Sequence, residues 1–244
     1  MKLYSTDSNN SVNPITESGS FPIPGYNLEQ YYSGITKWIK DGEFQFDIDE
    51  ELTVQKFSEL SGVDFVKVGK CVYNTRNNFP LRINSNGTVS KGNRECIKDA
   101  ADEGKVVDYL PEEDMIADWK ITKTEWVYVI TWNNHILKIG MTSSGLAARF
   151  GSYNCGLKTN MLTGSCSTTN FVICEANYLA LSKGYDVEIY AYKLPPSIAT
   201  VNIGESIVEV RASVASEVET FLTEFYAKVH GRNSPLCGQK KVNV

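Results

Sequence analysis

Apolar and polar residues alternate most regularly in the middle of the chain. This pattern predicts a strand over Glu125–Thr131 and a return strand over Ile136–Met141. Between them lies a tight turn, Trp132–His135, whose two central residues are asparagines, a residue type that tolerates positive φ. The segment is therefore predicted to be a β-hairpin.

After the hairpin the spacing of apolar residues becomes helical. It predicts a helix from Ser144 to about Tyr153, which the side chain of Thr142 or Ser143 can cap. A loop rich in Gly, Ser, Thr and Asn is predicted over Gly156–Asn170.

The last third of the chain contains further strands and a long helix. Alternation predicts strands over Tyr185–Leu194 and Ser206–Arg211. One apolar face predicts a helix over Ser213–His230. The stretch Phe171–Ser182 fits either a strand that leads into a helix or one continuous helix.

The first half of the chain is predicted to be mostly helical. Residues 1–25 are rich in Ser, Asn, Pro and Gly without periodicity, which is typical of a flexible arm. Helices are predicted over Asn27–Lys40 and over Leu52–Val63, where Thr53 can cap the helix and Gly62 can end it.

Three further segments complete the first half. The stretch VDFVKVGKCVYN fits a third helix or a strand, and as a helix it would form an αα-hairpin, or a helix-turn-helix, with the preceding one. Phe79–Val89 alternates around an Asn-Gly pair and is predicted to be a small hairpin, and Lys91–Gly104 a short helix.

These patterns indicate an α+β protein with three parts. Residues 1–25 are the flexible arm, and residues 26–120 form a mostly helical region that carries a small hairpin. Residues 121–244 form a small antiparallel or mixed sheet flanked by helices.

The composition excludes several classes of protein. No apolar run among the 244 residues is long enough to cross a bilayer, and the N-terminus lacks the apolar core of a signal peptide. We therefore expect a cytoplasmic protein without a membrane partner. The six cysteines show no CxxC spacing and there are two histidines, which favours buried or free thiols over a zinc site.

The charge is unevenly distributed. Residues 1–120 carry a net charge of −7 and residues 121–244 a net charge of +2, within a total of −5. Net charge governs non-specific association and says little about what a local cleft binds. The acidic total therefore does not exclude a nucleic-acid partner.

The sequence around the central hairpin resembles the GIY-YIG nuclease superfamily. VYV matches the first motif with Tyr128, and KIG matches the second with Lys138 where most members carry a tyrosine. Arg149 on the next helix, Tyr153 four residues later and a glutamate on the last helix follow in family order. The lysine variant looks most like a branch of type II restriction endonucleases, and the resemblance covers roughly residues 121–240.

The resemblance implies metal-dependent hydrolysis of a phosphodiester bond. Paired strands would bring Tyr128 near Lys138, and a nearby ammonium favours the ionised phenol that a general base requires. Arg149 would bind the phosphate with its planar guanidinium. One carboxylate would hold Mg²⁺, or another divalent cation, with water and phosphate oxygens in the remaining positions. That ion would neutralise the leaving oxygen.

Two glutamates of the last helix are candidates for the metal ligand. Members of the superfamily place an apolar residue just before this glutamate and another three positions after it. Glu219 has Val218 and Leu222 in these positions, whereas Glu217 has polar residues there. The resemblance therefore favours Glu219, with Glu217 as the alternative.

Each candidate side chain also has an ordinary structural explanation. Tyr128 could be a packed strand aromatic, and Lys138 could extend its ammonium to solvent. Arg149 could lie on a helix surface, and Tyr153 could serve packing. The joint order and spacing of these residues, rather than any one of them, favour a site.

Candidate base-contacting residues lie in the segment NTRNNFPLR of the first half. Arginine and asparagine are the side chains that pair bidentately with guanine and adenine. The alternative is that this segment is merely a polar loop. The candidates are Arg76, Asn77, Asn78 and Arg82.

The leading hypothesis is an endonuclease that cuts double-stranded DNA at a specific site. A palindromic site would be matched by a homodimer with two-fold symmetry. The first alternative is a nuclease of phage, mobile-element or repair pathways that recognises DNA structure. The second is a catalytically inert GIY-YIG-like module that binds nucleic acid or protein.

Overall fold

The computed structural model describes residues 4–6, 12–14, 39–40, 43–73, 107–154 and 166–237. The strands are β1 (Tyr4–Thr6), β2 (Val12–Pro14), β3 (Ile39–Lys40), β4 (Glu43–Phe44), β5 (Val66–Tyr73), β6 (Val107–Pro111), β7 (Trp126–Trp132), β8 (His135–Thr142), β9 (Val187–Lys193), β10 (Ser197–Ile203) and β11 (Ser206–Ala212). The helices are α1 (Val54–Ser61), α2 (Ile116–Lys120), α3 (Leu146–Tyr153), α4 (Thr168–Ser182) and α5 (Ala215–His230), with a 3-10 turn at Glu113–Met115. The chain is an α+β protein, as predicted.

The chain divides into two compact units. The first consists of Met1–Gln45, Tyr73–Val107 and Ser152–Leu179, and the second of Phe46–Val72, Asp108–Gly151 and Ala180–Val244. Both units are therefore built from segments that are distant in sequence.

The first unit contains two small antiparallel pairs, β1 with β2 and β3 with β4. The first pair lies within the segment predicted as a flexible arm. The helix predicted over Asn27–Lys40 is wrong at its end, since Ile39 and Lys40 form β3, and its other residues lie outside the described part. Helix α4 starts in this unit, where the Ser167 hydroxyl accepts a hydrogen bond from the Asn170 backbone N–H at 3.2 Å.

The second unit contains a five-stranded sheet with the order β6-β5-β9-β7-β8. Strand β9 pairs antiparallel with both β5 and β7, and β7 pairs antiparallel with β8. Strand β8 therefore lies at an edge of the sheet. Strand β7, which carries Tyr128, is paired with a strand on each side.

The central hairpin forms as the sequence predicts. Asn133 and Asn134 have φ values of 46° and 71°, the left-handed conformation that a two-residue turn between strands requires. Asn133 also exchanges two hydrogen bonds of 2.8 Å with the backbone of Asp186, which immediately precedes β9. The turn is thereby attached to the neighbouring strand.

The two faces of the sheet are covered by different elements. Val127, Val129 and Ile139 point toward α1 and α5, which supply Phe57, Leu222 and Tyr226 to the same buried cluster. Because side chains alternate along a strand, Tyr128 points to the opposite face. Aromatic residues of β6, α2 and α3 cover that second face.

Helix α1 confirms its predicted caps. The Thr53 side chain accepts a hydrogen bond from the Lys56 backbone N–H, and Gly62 ends the helix with φ 72°. The segment after Gly62 forms β5, so the helix-turn-helix and αα-hairpin interpretations are both wrong. This segment becomes a strand by pairing with β9, which is distant in sequence, so local periodicity does not distinguish it from a helix.

In the second half, the structure decides between two alternatives for one segment and adds a strand. Phe171–Ser182 belongs to one continuous helix, α4, which already starts inside the predicted loop. Strand β10 was not predicted and pairs with β11, with Gly204 in the turn at φ 61°. The hairpin of Phe79–Val89 and the helix of Lys91–Gly104 lie outside the described residues.

Two predictions from composition have a structural outcome. Cys71, Cys166, Cys174 and Cys237 are buried, in line with the expectation of buried or free thiols. In the described part of the chain, no helix combines the length and apolar character needed to span a bilayer.

Candidate functional site

A direct hydrogen bond joins the first motif to the following helix. The Nε of Arg149 donates to the Tyr128 hydroxyl oxygen at 2.7 Å, and the guanidinium carbon lies 5.9 Å from the centre of the phenol ring. Tyr128 is fully buried on β7, whereas Arg149 on α3 is half-buried. Arg149 is thus the more accessible partner of this hydrogen bond.

Gly140 explains how the phenol reaches this position. It pairs with Tyr128 across β7 and β8, and the Tyr128 ring lies directly over it. A Cβ at position 140 would overlap both the ring and the hydroxyl. The glycine of the KIG motif therefore leaves room for the tyrosine of the VYV motif.

An aromatic cluster holds the other side of the Tyr128 ring. Phe150, the residue after Arg149, meets the ring edge-on with 5.0 Å between centroids. Phe150 in turn contacts Trp119 at 5.2 Å and Tyr109 at 5.3 Å. Because one turn of α3 supplies both Arg149 and Phe150, the same helix orients the phenol ring and binds its oxygen.

Lys138 shares the sheet face of Tyr128 and sits on the edge strand. It lies two residues from Gly140, which places its side chain diagonally across from Tyr128. Only 9% of Lys138 is exposed. Burial, the largest influence, lowers the pKa of Lys138, but electrostatic interactions with Cys237, Tyr128 and Glu219 raise it to a net value above that of ordinary lysine. Lys138 is therefore a buried cation.

Glu219 approaches from the other face of the sheet. It is half-buried on α5, which packs against β8 and β7, whereas Glu217 is exposed. The charge of Glu219 is among the influences that raise the pKa of Lys138. Lys138 at the sheet edge is thus coupled to Tyr128 on one face and to Glu219 on the other.

A buried carboxylate fixes the start of the helix that carries Glu219. Glu125 accepts a hydrogen bond from the Val214 backbone N–H at 3.0 Å, just before α5. Burial, the largest influence, raises the pKa of Glu125, but hydrogen bonds from Ser213, Val214 and Ala215 lower it, and the net pKa is below the ordinary value. Negative charge at a helix N-terminus is favourable. Glu125, which directly precedes β7, therefore anchors the start of α5 to this strand.

The carboxylates limit the kind of metal site that this region could form. Within the described residues no group of three or more His, Cys, Asp or Glu side chains could enclose an ion. Glu219 is a half-buried carboxylate that contributes to the raised pKa of Lys138. This fits Mg²⁺ held by one carboxylate with water and substrate oxygens, and it does not fit an ion held by protein ligands alone.

The remaining predicted site residues are one buried tyrosine and four residues outside the described part of the chain. Tyr153 is fully buried at the end of α3, and it belongs to the first unit. Arg76, Asn77, Asn78 and Arg82 lie outside the described residues. Their roles stay predictions.

Cys237 is a neighbour that the sequence did not indicate. Lys138 Nζ donates to its Sγ at 3.5 Å. The two residues are 99 positions apart, and the cysteine belongs to a polar tail without periodicity. No local pattern could have joined them.

Comparisons with known proteins give a weak likeness. No family model and no curated protein matches the sequence. The restriction endonuclease HPY188I, solved in complex with product DNA, aligns at 20% identity over 78% of this chain and 88% of its own, with a TM-score of 0.42. A mutant of bacteriophage T4 EndoII aligns at 17% identity over 75% of this chain and 98% of its own, with a TM-score of 0.38. At such values the alignments support no inference about this protein.

Proposed function

We propose that this protein is a metal-dependent endonuclease that hydrolyses phosphodiester bonds of double-stranded DNA. The observation that carries the proposal is the bond from Arg149 to the Tyr128 phenol, with the buried Lys138 cation on the same sheet face. A phenol in contact with one cation and close to another has little purpose in packing alone. The arrangement suits a reaction in which negative charge develops.

The chain's own residues account for most of the chemistry. A water molecule attacks phosphorus, the bond to the leaving oxygen breaks, and the proton of the water passes to an ionised Tyr128. Lys138 and Arg149 balance the charge of the phenolate, and Arg149 also presents a planar fork to a phosphate. Tyr128 and Arg149 are thus assigned as base and phosphate ligand, with Lys138 as the supporting cation.

Access to Tyr128 follows from the same contact. The tyrosine has no exposed surface, and Arg149 covers its hydroxyl oxygen. A phosphate that draws the guanidinium toward itself would uncover the hydroxyl as it binds. In this proposal Arg149 keeps the base covered until a substrate is present.

Glu219 is the proposed ligand for Mg²⁺ or another divalent cation, and Glu217 is the alternative. The electrostatic influence of Glu219 on Lys138 and the exposure of Glu217 support this choice. When bound, the ion would supply positive charge for the leaving oxygen. Tyr153, one turn beyond Arg149 on α3, stays a proposed member of the site.

The finer proposal is a site-specific type II restriction enzyme. A homodimer would then place two sites on the two DNA strands. Residues 26–120, including Arg76, Asn77, Asn78 and Arg82, and the segment 156–170 would supply DNA contacts. Two alternatives stay open: a phage or mobile-element DNA-processing or repair nuclease, and an inert nucleic-acid-binding module.

The central experiment incubates the protein and its variants with Mg²⁺ and a long DNA of known sequence. Glu219→Gln should reduce cleavage by about 10²-fold or more while leaving the fold intact, because a neutral amide replaces the proposed metal ligand. Glu224→Gln, on the exposed side of α5, is the matched control and should cut like the wild type. Loss with Glu217→Gln instead would transfer the metal ligand to Glu217.

The products distinguish the alternatives. Discrete bands indicate a restriction enzyme, whereas smearing or cleavage at branched DNA indicates a processing nuclease. Wild-type protein that leaves plasmid and phage DNA uncut with Mg²⁺ would overturn the enzymatic proposal and leave the binding module.

A further inference from the structure

The residues after α5 cover the outer edge of β8. An edge strand has backbone groups without a partner strand. The Leu236 N–H donates to the Leu137 carbonyl at 3.0 Å, in the manner of an added strand. The residue after Leu236 is Cys237, which contacts Ile139. The Ile139 N–H donates to Cys237 Sγ at 3.3 Å, and the thiol donates to the Ile139 carbonyl at 3.2 Å. The Cys237 side chain thus forms hydrogen bonds with the backbone N–H and carbonyl of Ile139, which a neighbouring strand would otherwise pair.

The same sulfur also receives the ammonium of Lys138. Lys138 Nζ lies 3.5 Å from Cys237 Sγ, and 9% of the lysine and 6% of the cysteine are exposed. Within the described residues Lys138 forms no ion pair with a carboxylate. Sulfur is a weak hydrogen-bond acceptor, so it directs the ammonium without neutralising it.

We propose that Cys237 is a positioning residue of the candidate site, whose thiol fixes the Lys138 ammonium beside Tyr128 and secures the C-terminal segment on β8. The inference rests on the proposed function for its catalytic consequence, but the contact itself does not. A carboxylate in this place would bind the ammonium as an ion pair and cancel its charge. A thiol holds Lys138 in position and leaves the charge to act on a phosphate or on the phenolate.

Three single variants test the catalytic consequence. Cys237→Ala removes the acceptor and should lower the single-turnover cleavage rate by about 10- to 100-fold, with little change in DNA affinity, because a displaced cation affects the reaction more than binding. Cys237→Ser keeps a donor and an acceptor and should cut close to the wild-type rate. Cys71→Ala, a buried cysteine on β5, controls for the loss of a buried thiol and should change stability without changing cleavage per folded molecule.

A double-mutant cycle tests the contact without reference to activity. Denaturant unfolding is measured for wild type, Cys237→Ala, Lys138→Met and the double variant. If the two side chains touch, the loss in the double variant differs from the sum of the two single losses. If each acts alone, the losses add.

The two measurements separate the possible failures. Additive unfolding losses, or Cys237→Ala protein that cuts at the wild-type rate, would overturn the positioning role. Wild-type protein that cuts no DNA overturns the proposed function and with it the catalytic consequence, while the unfolding cycle still decides whether Cys237 holds Lys138.

Discussion

Two lysines of the same sheet occupy contrasting environments. Lys67 on β5 is 37% exposed and pairs with Glu188 at 2.6 Å and with Glu112 at 3.4 Å. Lys138 on β8 is buried, and its hydrogen-bond partner is a thiol. In both cases the net pKa is raised: a hydrogen bond to Glu188 is the largest influence on Lys67, while burial opposes the rise for Lys138.

The two lysines differ in whether their ammonium groups form ion pairs. The charge of Lys67 is satisfied by two carboxylates at the surface, where an ion pair contributes little to stability. The charge of Lys138 lies out of water, which disfavours the ammonium, while Cys237, Tyr128 and Glu219 favour it. The proposed site depends on this buried ammonium, which forms no ion pair among the described residues and is held by a thiol.

The largest expected effect comes from replacing each of the two lysines by methionine, which tests whether they differ in function. Lys138→Met should reduce cleavage by about 10²-fold or more, because the cation beside the phenol is lost. Its free energy of unfolding should fall by about 1 kcal/mol, because the raised pKa of Lys138 shows that the folded state favours the ammonium. Single-turnover cleavage and denaturant unfolding measure the two effects.

The control is Lys67→Met. It should cut like the wild type, and its unfolding free energy should fall by at most about 1 kcal/mol. Equal cleavage by the two variants would remove the distinction between the lysines.

Two glycines extend the comparison to packing. Gly140→Ala places a methyl group against the Tyr128 ring, and Gly69→Ala places one against the Leu110 carbonyl and the Trp119 ring. Each substitution should lower the free energy of unfolding by about 1–3 kcal/mol, because a filled space is overpacked. Thermal or denaturant unfolding measures this loss.

The two variants should differ in activity. Cleavage per folded molecule should fall for Gly140→Ala, which displaces the proposed base, and should be retained for Gly69→Ala. Retained cleavage by Gly140→Ala would show that the position of the Tyr128 ring is unimportant.

Glu125 gives the smallest expected effect and a dependence on pH. Its net pKa in the folded state lies below the ordinary value of 4.5. Its stabilising contribution is therefore complete above the ordinary value and is lost as the pH falls through the lower folded-state value. Glu125→Gln should lower the free energy of unfolding by about 1–2 kcal/mol at neutral pH.

The check is denaturant unfolding across the acid range. The difference between wild type and Glu125→Gln should shrink as the pH falls, whereas Glu224→Gln should differ little from wild type throughout. A difference that is constant with pH would contradict the assignment of Glu125 as an ionised cap of α5.

The sequence by itself determined the elements that depend on near neighbours. Helix α1 starts at the Thr53 cap and ends at Gly62 because both act on groups within four positions. The turn of the central hairpin forms because Asn133 and Asn134 tolerate positive φ. The order of Tyr128, Lys138 and Arg149 along the chain likewise came from sequence, although their roles stay predictions.

The tertiary structure decided what depends on distant partners. It made β5 a strand rather than a helix, brought Arg149 onto Tyr128, and left Glu219 half-buried but Glu217 exposed on α5. It also joined Lys138 to Cys237. Propensity and periodicity report only on residues within a few positions of one another. Burial, edge exposure and charge coupling arise when separate segments pack, so only the folded chain could establish them.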